Sequence, residues 1–439
     1  MSFNNKKIKV AFVCQPFYET SFPQPGDSIG IITVKLINHL RSDFNITVYS
    51  ATEKSIWWKT QIDQGVLYQY IPTKLDSIFF YHVLKRIPAW LTPKRPWFSS
   101  ILFYFLYPLQ ISIDLRRKQY DIVHIHNFSQ FIPLIRLLNP QIKIVLHMHC
   151  EWLTQLDHSQ IRSRLQLTDL IISCSDYLTN LIRNKFPEFQ DRCQTLFNAV
   201  DIHKFVNQTP KTYSQSIEHP KLLFVGRISP EKGVHVLLDA LKEVVKFYPN
   251  VQLNIVGPEG STPKEYIVDL SDSPELKELA RFYTTSYSTG LRNQITPEIA
   301  NNICFKGLVL HDQIMKYFEE ADIVINPSLS ESFGMSLVEA MATETPVIAS
   351  RIGGMQDVIE DGKTGVLIEP NNPPALAKAI IELLANPESR QSMGKAGRQR
   401  VMKLFCWDQV SSNLALKYQQ IYQLKSDKPI AKSKFRLNN

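Results

Sequence analysis

A chain of 439 residues exceeds what one hydrophobic core usually supports, so two domains are expected. With 44% apolar and 21% charged residues, only 16 glycines and no internal repeat, disordered, collagenous and solenoid architectures are excluded. The formal charge of +8 lies entirely in residues 1–210, which hold 23 Lys+Arg against 15 Asp+Glu. A localised basic excess suits an anionic partner such as membrane lipid or a phosphorylated substrate, although a solvated basic face is the commoner outcome.

In chain order, MSFNNKKIKVAFVC places lysines before an apolar run too short for a signal-peptide core, and it reads as a first strand. Further Val/Ile-rich runs in the first half cover 45–50, 66–71, 121–126, 143–149, 169–175 and 195–200. Between them, residues 74–118 carry eight Lys/Arg against Asp76 and Asp114, interleaved with aromatic residues from Phe79 to Tyr107. This segment suits either a core helix over 101–115 with solvated flanks or a surface resting on anionic lipid between Tyr81 and Pro96. The apolar stretch 97–109 is shorter than the ~20 residues a spanning helix needs.

The polar, proline-containing stretch 203–220 separates a second series of runs at 221–227, 252–257, 303–307, 322–328, 346–350 and 365–370. Leu237, Leu241, Val244 and Tyr248, and then Leu376, Ala379, Ile380 and Leu383, recur at helical spacing as crossover helices. Alternating strands and helices predict an α/β chain of two doubly wound, Rossmann-like domains facing across a cleft. The expected divisions are 1–205 for an acceptor-side domain, 206–220 for a linker and 221–406 for a donor-side domain. A helix at 407–424 is expected to return to the first domain, and 425–439 to be a disordered basic tail. Residues 258–302 exceed an ordinary crossover, and their Ser/Thr-rich text suggests a mobile loop. The six cysteines are scattered with no Cys-x-x-Cys pair, which fits the cytosol and gives no support for a disulfide framework or zinc site.

The strand KLLFVGR ends in Gly226 and Arg227, and Lys232 follows in the turn RISPEKG, so two cations meet one strand's end. Arg offers a planar donor fork and Lys a mobile charge, a pair suited to a diphosphate. The strand DIVINPS is followed by Glu331, Gly334 and, within a helix, Glu339. Gly334 allows close approach to a helix start whose dipole favours anions, and the Glu339 carboxylate can accept bonds from vicinal hydroxyls such as those of a ribose. The alternatives are a charged turn and an acidic helix start that merely complements its dipole.

VGRISPEKG followed by PSLSESFGMSLVEAMATETPVIASRIGGMQDVIEDGKTGVLIEP resembles the retaining nucleotide-sugar glycosyltransferases of family 4, which have the GT-B fold. The resemblance is specific over 221–385 and weaker in the first half. It implies that Arg227 and Lys232 hold the donor diphosphate, Glu339 binds the nucleotide ribose and Glu331 faces the transferred sugar. The backbone of Phe333, Gly334 and Met335 would lie along the donor. KIVLHMHCEW resembles the family's strand ending in a histidine near the anomeric carbon, with His149 the best match and His147 the runner-up. The loop before the first helix, where the family has adjacent glycines, reads GDSIGII with Gly30 alone. FNAVD has Ala199 where glycine is usual, and Asp357 stands where Glu is common.

The resemblance therefore implies a retaining hexosyltransferase moving a sugar from a nucleoside diphosphate donor, UDP-sugar favoured, to an acceptor hydroxyl, in polysaccharide or glycolipid synthesis. A lipid-linked or small-molecule acceptor is expected, with an anionic membrane surface as a candidate partner and no nucleic acid. No metal or other cofactor is expected, because no Asp-x-Asp pair stands in a metal-positioning loop; the acids at Asp269 and Asp272 read as a turn or helix start before Pro274. The expected location is cytoplasmic or peripheral on the inner face of the membrane. A sugar-nucleotide epimerase and an inactive donor-binding subunit share the fold and remain open on sequence alone. A dinucleotide oxidoreductase is disfavoured, since no G-x-G-x-x-G follows a first strand.

Overall fold

In this computed structural model the described residues are 7–16, 28–82, 96–207, 218–260, 262–284, 286–310 and 313–424. The first sheet contains β1 (Lys9–Val13), β2 (Asn45–Thr52), β3 (Lys59–Asp63), β4 (Val66–Pro72), β5 (Ile122–His126), β6 (Lys143–Met148), β7 (Leu170–Ser173) and β8 (Cys193–Thr195). Their order is β3-β4-β2-β1-β5-β6-β7-β8, with β1 between parallel neighbours β2 and β5. The second sheet contains β9 (Lys221–Val225), β10 (Gln252–Val256), β11 (Ile303–Gly307), β12 (Ile323–Asn326), β13 (Val347–Ser350) and β14 (Val366–Ile368). It is parallel throughout in the order β11-β10-β9-β12-β13-β14. Each sheet reverses its winding beside its first central strand, as doubly wound sheets do.

Burial explains why the central strands are runs without alternation: β1, β5 and β12 are almost wholly buried on both faces. Helices cover the second sheet. Val234, Leu237, Leu241 and Val244 of helix Val234–Phe247 pack against Leu376, Ile380 and Leu383 of helix Pro373–Ala385. Each fully buried aliphatic side chain there contributes about 1.5–3 kcal/mol.

Three sequence expectations change. β3 has a polar text and is exposed, so no apolar pattern marks it; it pairs antiparallel with β4 across Gln64–Gly65, both with positive φ as a tight hairpin turn requires. The run at 195–200 forms its strand earlier, as β8. Residues 258–302 are not a loop but carry helices Pro274–Glu278, Tyr287–Gln294 and Pro297–Ala300 with two 3-10 turns, Lys264–Tyr266 and Leu279–Tyr283. Their apolar residues Tyr287, Leu291 and Ile299 join the core under β10, information that a Ser/Thr-rich composition hides. Ser273 does cap a helix start, accepting from Leu276 N–H.

The chain packs as two compact units: residues up to His147, Ser159–Ile172 and residues from Ser411 on form the first, and Met148–His158 with Ser173–Val410 form the second. Within the first unit, helix residue Tyr418 is buried and shares a 2.6 Å hydrogen bond with His124 Nδ1. The basic helix of this unit runs Leu106–Lys118 rather than 101–115, leaving Ile101 and Leu102 before it exposed. Most of the span Tyr81–Pro96, part of the linker and the tail 425–439 lie outside the described residues. Among the described residues no helix is long and apolar enough to cross a membrane.

Candidate active site

β9 and β12 are neighbours where the second sheet reverses, and the loops after their carboxyl ends line the crevice in which such sheets bind ligands. After β9 the chain passes Gly226 and Arg227, makes a 3-10 turn over Pro230–Lys232 and enters helix Val234–Phe247. Gly233 joins the turn to the helix with φ +69°, and a Cβ there would lie 2.0 Å from the carbonyl oxygen of Pro327. Only glycine allows that approach of the loop after β9 to the loop after β12.

The two loops meet through an ion pair: Lys232 Nζ donates to Glu331 Oε2 at 2.7 Å. Burial pushes the Glu331 carboxyl up, but the Lys232 ammonium and the N–H groups of Phe333 and Ser332 outweigh it and hold the group below the usual carboxylate range. Glu331 is therefore ionised at neutral pH. The segment carrying it is gripped from behind. Gly354 N–H donates to Glu331 O at 3.1 Å, and Gly353, with φ +55°, would place a Cβ 1.9 Å from the same oxygen.

Arg227 is held on its own turn. Its guanidinium donates to Glu231 Oε1 at 3.0 Å, while Ser229 Oγ donates to that oxygen at 2.6 Å. Glu231 is 2% exposed, whereas the Arg227 side chain is 42% exposed. A buried acid therefore anchors a cation that stays open to solvent.

Helix Met335–Ala342 begins at Gly334, whose φ of +101° caps it. Phe333 is buried, its ring edge-on to Phe405 at 5.5 Å and tilted toward Phe197, so its backbone rather than its ring faces the helix start. Met335 is the first helical residue and Glu339 is buried in the following turn. Anions are favoured where these N–H groups end.

His149 follows β6 in the second unit, half-buried, and burial drives its imidazole down to about 3, so it is neutral at pH 7. His147 points elsewhere. It is buried in the first unit, where its Nδ1 shares a 3.1 Å hydrogen bond with His124 Nε2 beside His126. β6 ends at Met148, so His149 has left the strand that buries His147, and this separates the two candidates. Gly30 is buried in the first turn of helix Ser28–Leu40 in the first unit rather than in the loop before it. Asp357 accepts from Tyr177 N–H at 2.8 Å, holding the start of helix Asp176–Lys185.

Sequence reasoning missed Glu231, although it stands inside the quoted motif beside Lys232. Acidic residues in turns are commonly solvated, and nothing in the sequence says this one is buried. Gly353 and Gly354 were legible as a glycine pair; their grip on Glu331 required the structure.

A glycosyltransferase domain is what this cation crevice on a doubly wound sheet most resembles, and the comparisons with known proteins agree. The family described as Glycosyl transferases group 1 matches residues 211–400, and Glycosyltransferase Family 4 matches residues 65–204. A putative glycosyltransferase, YtcC of Bacillus subtilis, is 25% identical over 436 residues, covering 95% of this chain and 94% of its own. Among solved structures, sucrose-phosphate synthase from Thermosynechococcus elongatus superposes with a TM-score of 0.70 at 20% identity, over 95% of this chain and all of that one. Anabaena HepE in complex with UDP-glucose gives 0.61 at 17% identity, over 94% of this chain and all of that one. The chain belongs to the family 4 glycosyltransferases and has the GT-B fold.

Proposed function

We propose that the protein is a retaining hexosyltransferase that moves a sugar from a nucleoside diphosphate to an acceptor hydroxyl and needs no metal ion to do so. The observation that carries this reading is the Lys232–Glu331 pair at 2.7 Å, which joins the turn that follows Arg227 to the loop that leads into helix Met335–Ala342. When the bond from the anomeric carbon to the diphosphate breaks, its electrons go to the diphosphate. Arg227, Lys232 and the helix start stabilise that charge. The acceptor oxygen bonds to the anomeric carbon, and its proton leaves to the released diphosphate or to solvent. Glu331 and neutral His149 orient the sugar, and Glu339 accepts from the ribose hydroxyls.

A UDP-sugar is the favoured donor, because HepE was solved with UDP-glucose. The test is a panel of UDP-, GDP- and ADP-sugars: one of them should raise the melting temperature, since a ligand bound only by the folded state stabilises it. No shift with any of the three would reject the donor reading.

The acceptor side is assigned to the first half of the chain, resting on an anionic cytoplasmic membrane surface. Trp57, Leu75, Ile78, Phe79, Ile101 and Phe105 are exposed there. Their segments are tied together: Trp58 Nε1 donates to Gln110 Oε1 at 2.7 Å and Leu106 N–H to Asp76 Oδ1 at 2.8 Å. Aromatic and aliphatic side chains beside a basic segment suit an anionic lipid interface, which brings the site to a lipid-linked acceptor of polysaccharide or glycolipid synthesis.

A further inference from the structure

Residues 258–302 reach the crevice at several points. Thr262 Oγ1 donates to Glu231 Oε1 at 3.3 Å, the same oxygen that holds Arg227. Val268, Leu276 and Leu279 form a small core with Leu329, from the loop after β12, and Leu329 N–H donates to Glu231 O at 2.7 Å. Tyr266 lies against Trp152, three residues beyond His149, with ring centroids 5.8 Å apart. The insertion therefore packs on all three strand-end loops that carry the candidate residues of the second unit.

Burial pushes the Tyr283 hydroxyl up to about 12, and the next largest contribution is the negative charge of Glu231, with Arg227 opposing it. The Tyr283 hydroxyl and Glu231 Oε2 are both buried and have no hydrogen-bond partner among the described residues. A buried carboxylate with one unsatisfied oxygen is costly unless its charge is used, and the cation it faces is Arg227.

We propose that the 258–302 insertion is a working part of the donor site: through Thr262 it fixes the Glu231 carboxylate, and Glu231 is the positioning residue that aims Arg227 at the terminal phosphate of a nucleoside diphosphate. This rests on the donor reading above. Glu231 touches neither sugar nor phosphate; it removes the rotamer freedom that an exposed Arg would otherwise lose on binding.

The consequence is selective for the second phosphate. Calorimetric titration of the full chain with UDP, GDP and ADP, and with the matching monophosphates, separates that contribution. Glu231→Gln keeps the shape but not the charge, and it should weaken the preferred diphosphate about tenfold, as for one charge-assisted contact, while leaving the monophosphate unchanged. Thr262→Val, which removes the hydroxyl that donates to Glu231 Oε1, should act in the same direction by about threefold, together with a higher donor KM and a kcat that changes less. Unchanged diphosphate affinity in these variants, or an equal loss for diphosphate and monophosphate as from a structural role, would overturn the proposal. If Glu231→Gln does not fold, Thr262→Val decides alone. If the wild type binds none of the three diphosphates, the donor reading itself fails; wild-type binding with indifferent variants rejects only the role of Glu231 and the insertion.

Discussion

In the crevice after β9 and β12 each cation has a carboxylate, Arg227 with Glu231 and Lys232 with Glu331, and both acids are shielded from solvent. On the outer surface of the first unit the opposite holds: Trp57 is 76% exposed, Leu75 66% and Ile101 54%. The crevice keeps its cations in fixed geometry on shielded acids, so little order is lost when they meet an anionic ligand. The surface leaves apolar area in water with basic residues nearby in the sequence, an arrangement suited to adhesion rather than chemistry. On the proposed reading one region serves transition-state charge and the other position, so their variants should separate cleanly.

The largest effect belongs to the crevice. Arg227→Ala or Lys232→Ala should lower turnover by about 10² to 10³, the range for losing one preorganised group at a developing anion. Lipid binding, measured by flotation, should not change. Near-wild-type turnover in both variants would remove the pair from the site.

A smaller effect is expected behind the loop. Gly353→Ala forces a side chain into a positive-φ position against Glu331 O, which should cost about 1–3 kcal/mol of stability and weaken nucleotide affinity. Thermal unfolding and calorimetry check both, and an unshifted melting temperature would show that the grip of Gly353 and Gly354 is dispensable.

The smallest effect concerns the surface. Trp57→Ser or Phe79→Ser should weaken binding to anionic vesicles by about three- to tenfold, with stronger binding at low salt than at moderate salt. Turnover on a water-soluble acceptor should hold. Absence of wild-type binding to anionic vesicles at low salt would end the membrane reading and leave a soluble acceptor.

How far the sequence reaches differs between the same two regions. Every strand of the second sheet lies on a run read from the sequence; the central β12 and β13 are apolar because both faces are buried, whereas the edge strand β11 is only partly buried. The switch-point loops follow from that order, so Arg227, Lys232, Glu331 and Gly334 could be placed at strand ends before any coordinates. Their pairing could not: the Lys232–Glu331 contact depends on Gly233 letting two loops approach, a distance that no spacing encodes. In the first unit, β3 escaped notice because an exposed edge strand carries no apolar pattern, and only Gln64–Gly65 hinted at a turn. Residues 258–302 misled by composition. Their buried residues are few and scattered among polar ones, yet Leu276 and Leu279 suffice to fasten the segment to Leu329.

The central claim is that Arg227 and Lys232, fixed by glutamates, neutralise the departing diphosphate. Its most direct test is turnover of the nucleotide-sugar that gives the largest thermal shift, assayed with excess EDTA and again with Mg²⁺ or Mn²⁺ restored. The account predicts the same rate in both conditions. Complete loss in EDTA with recovery on adding the metal would contradict it.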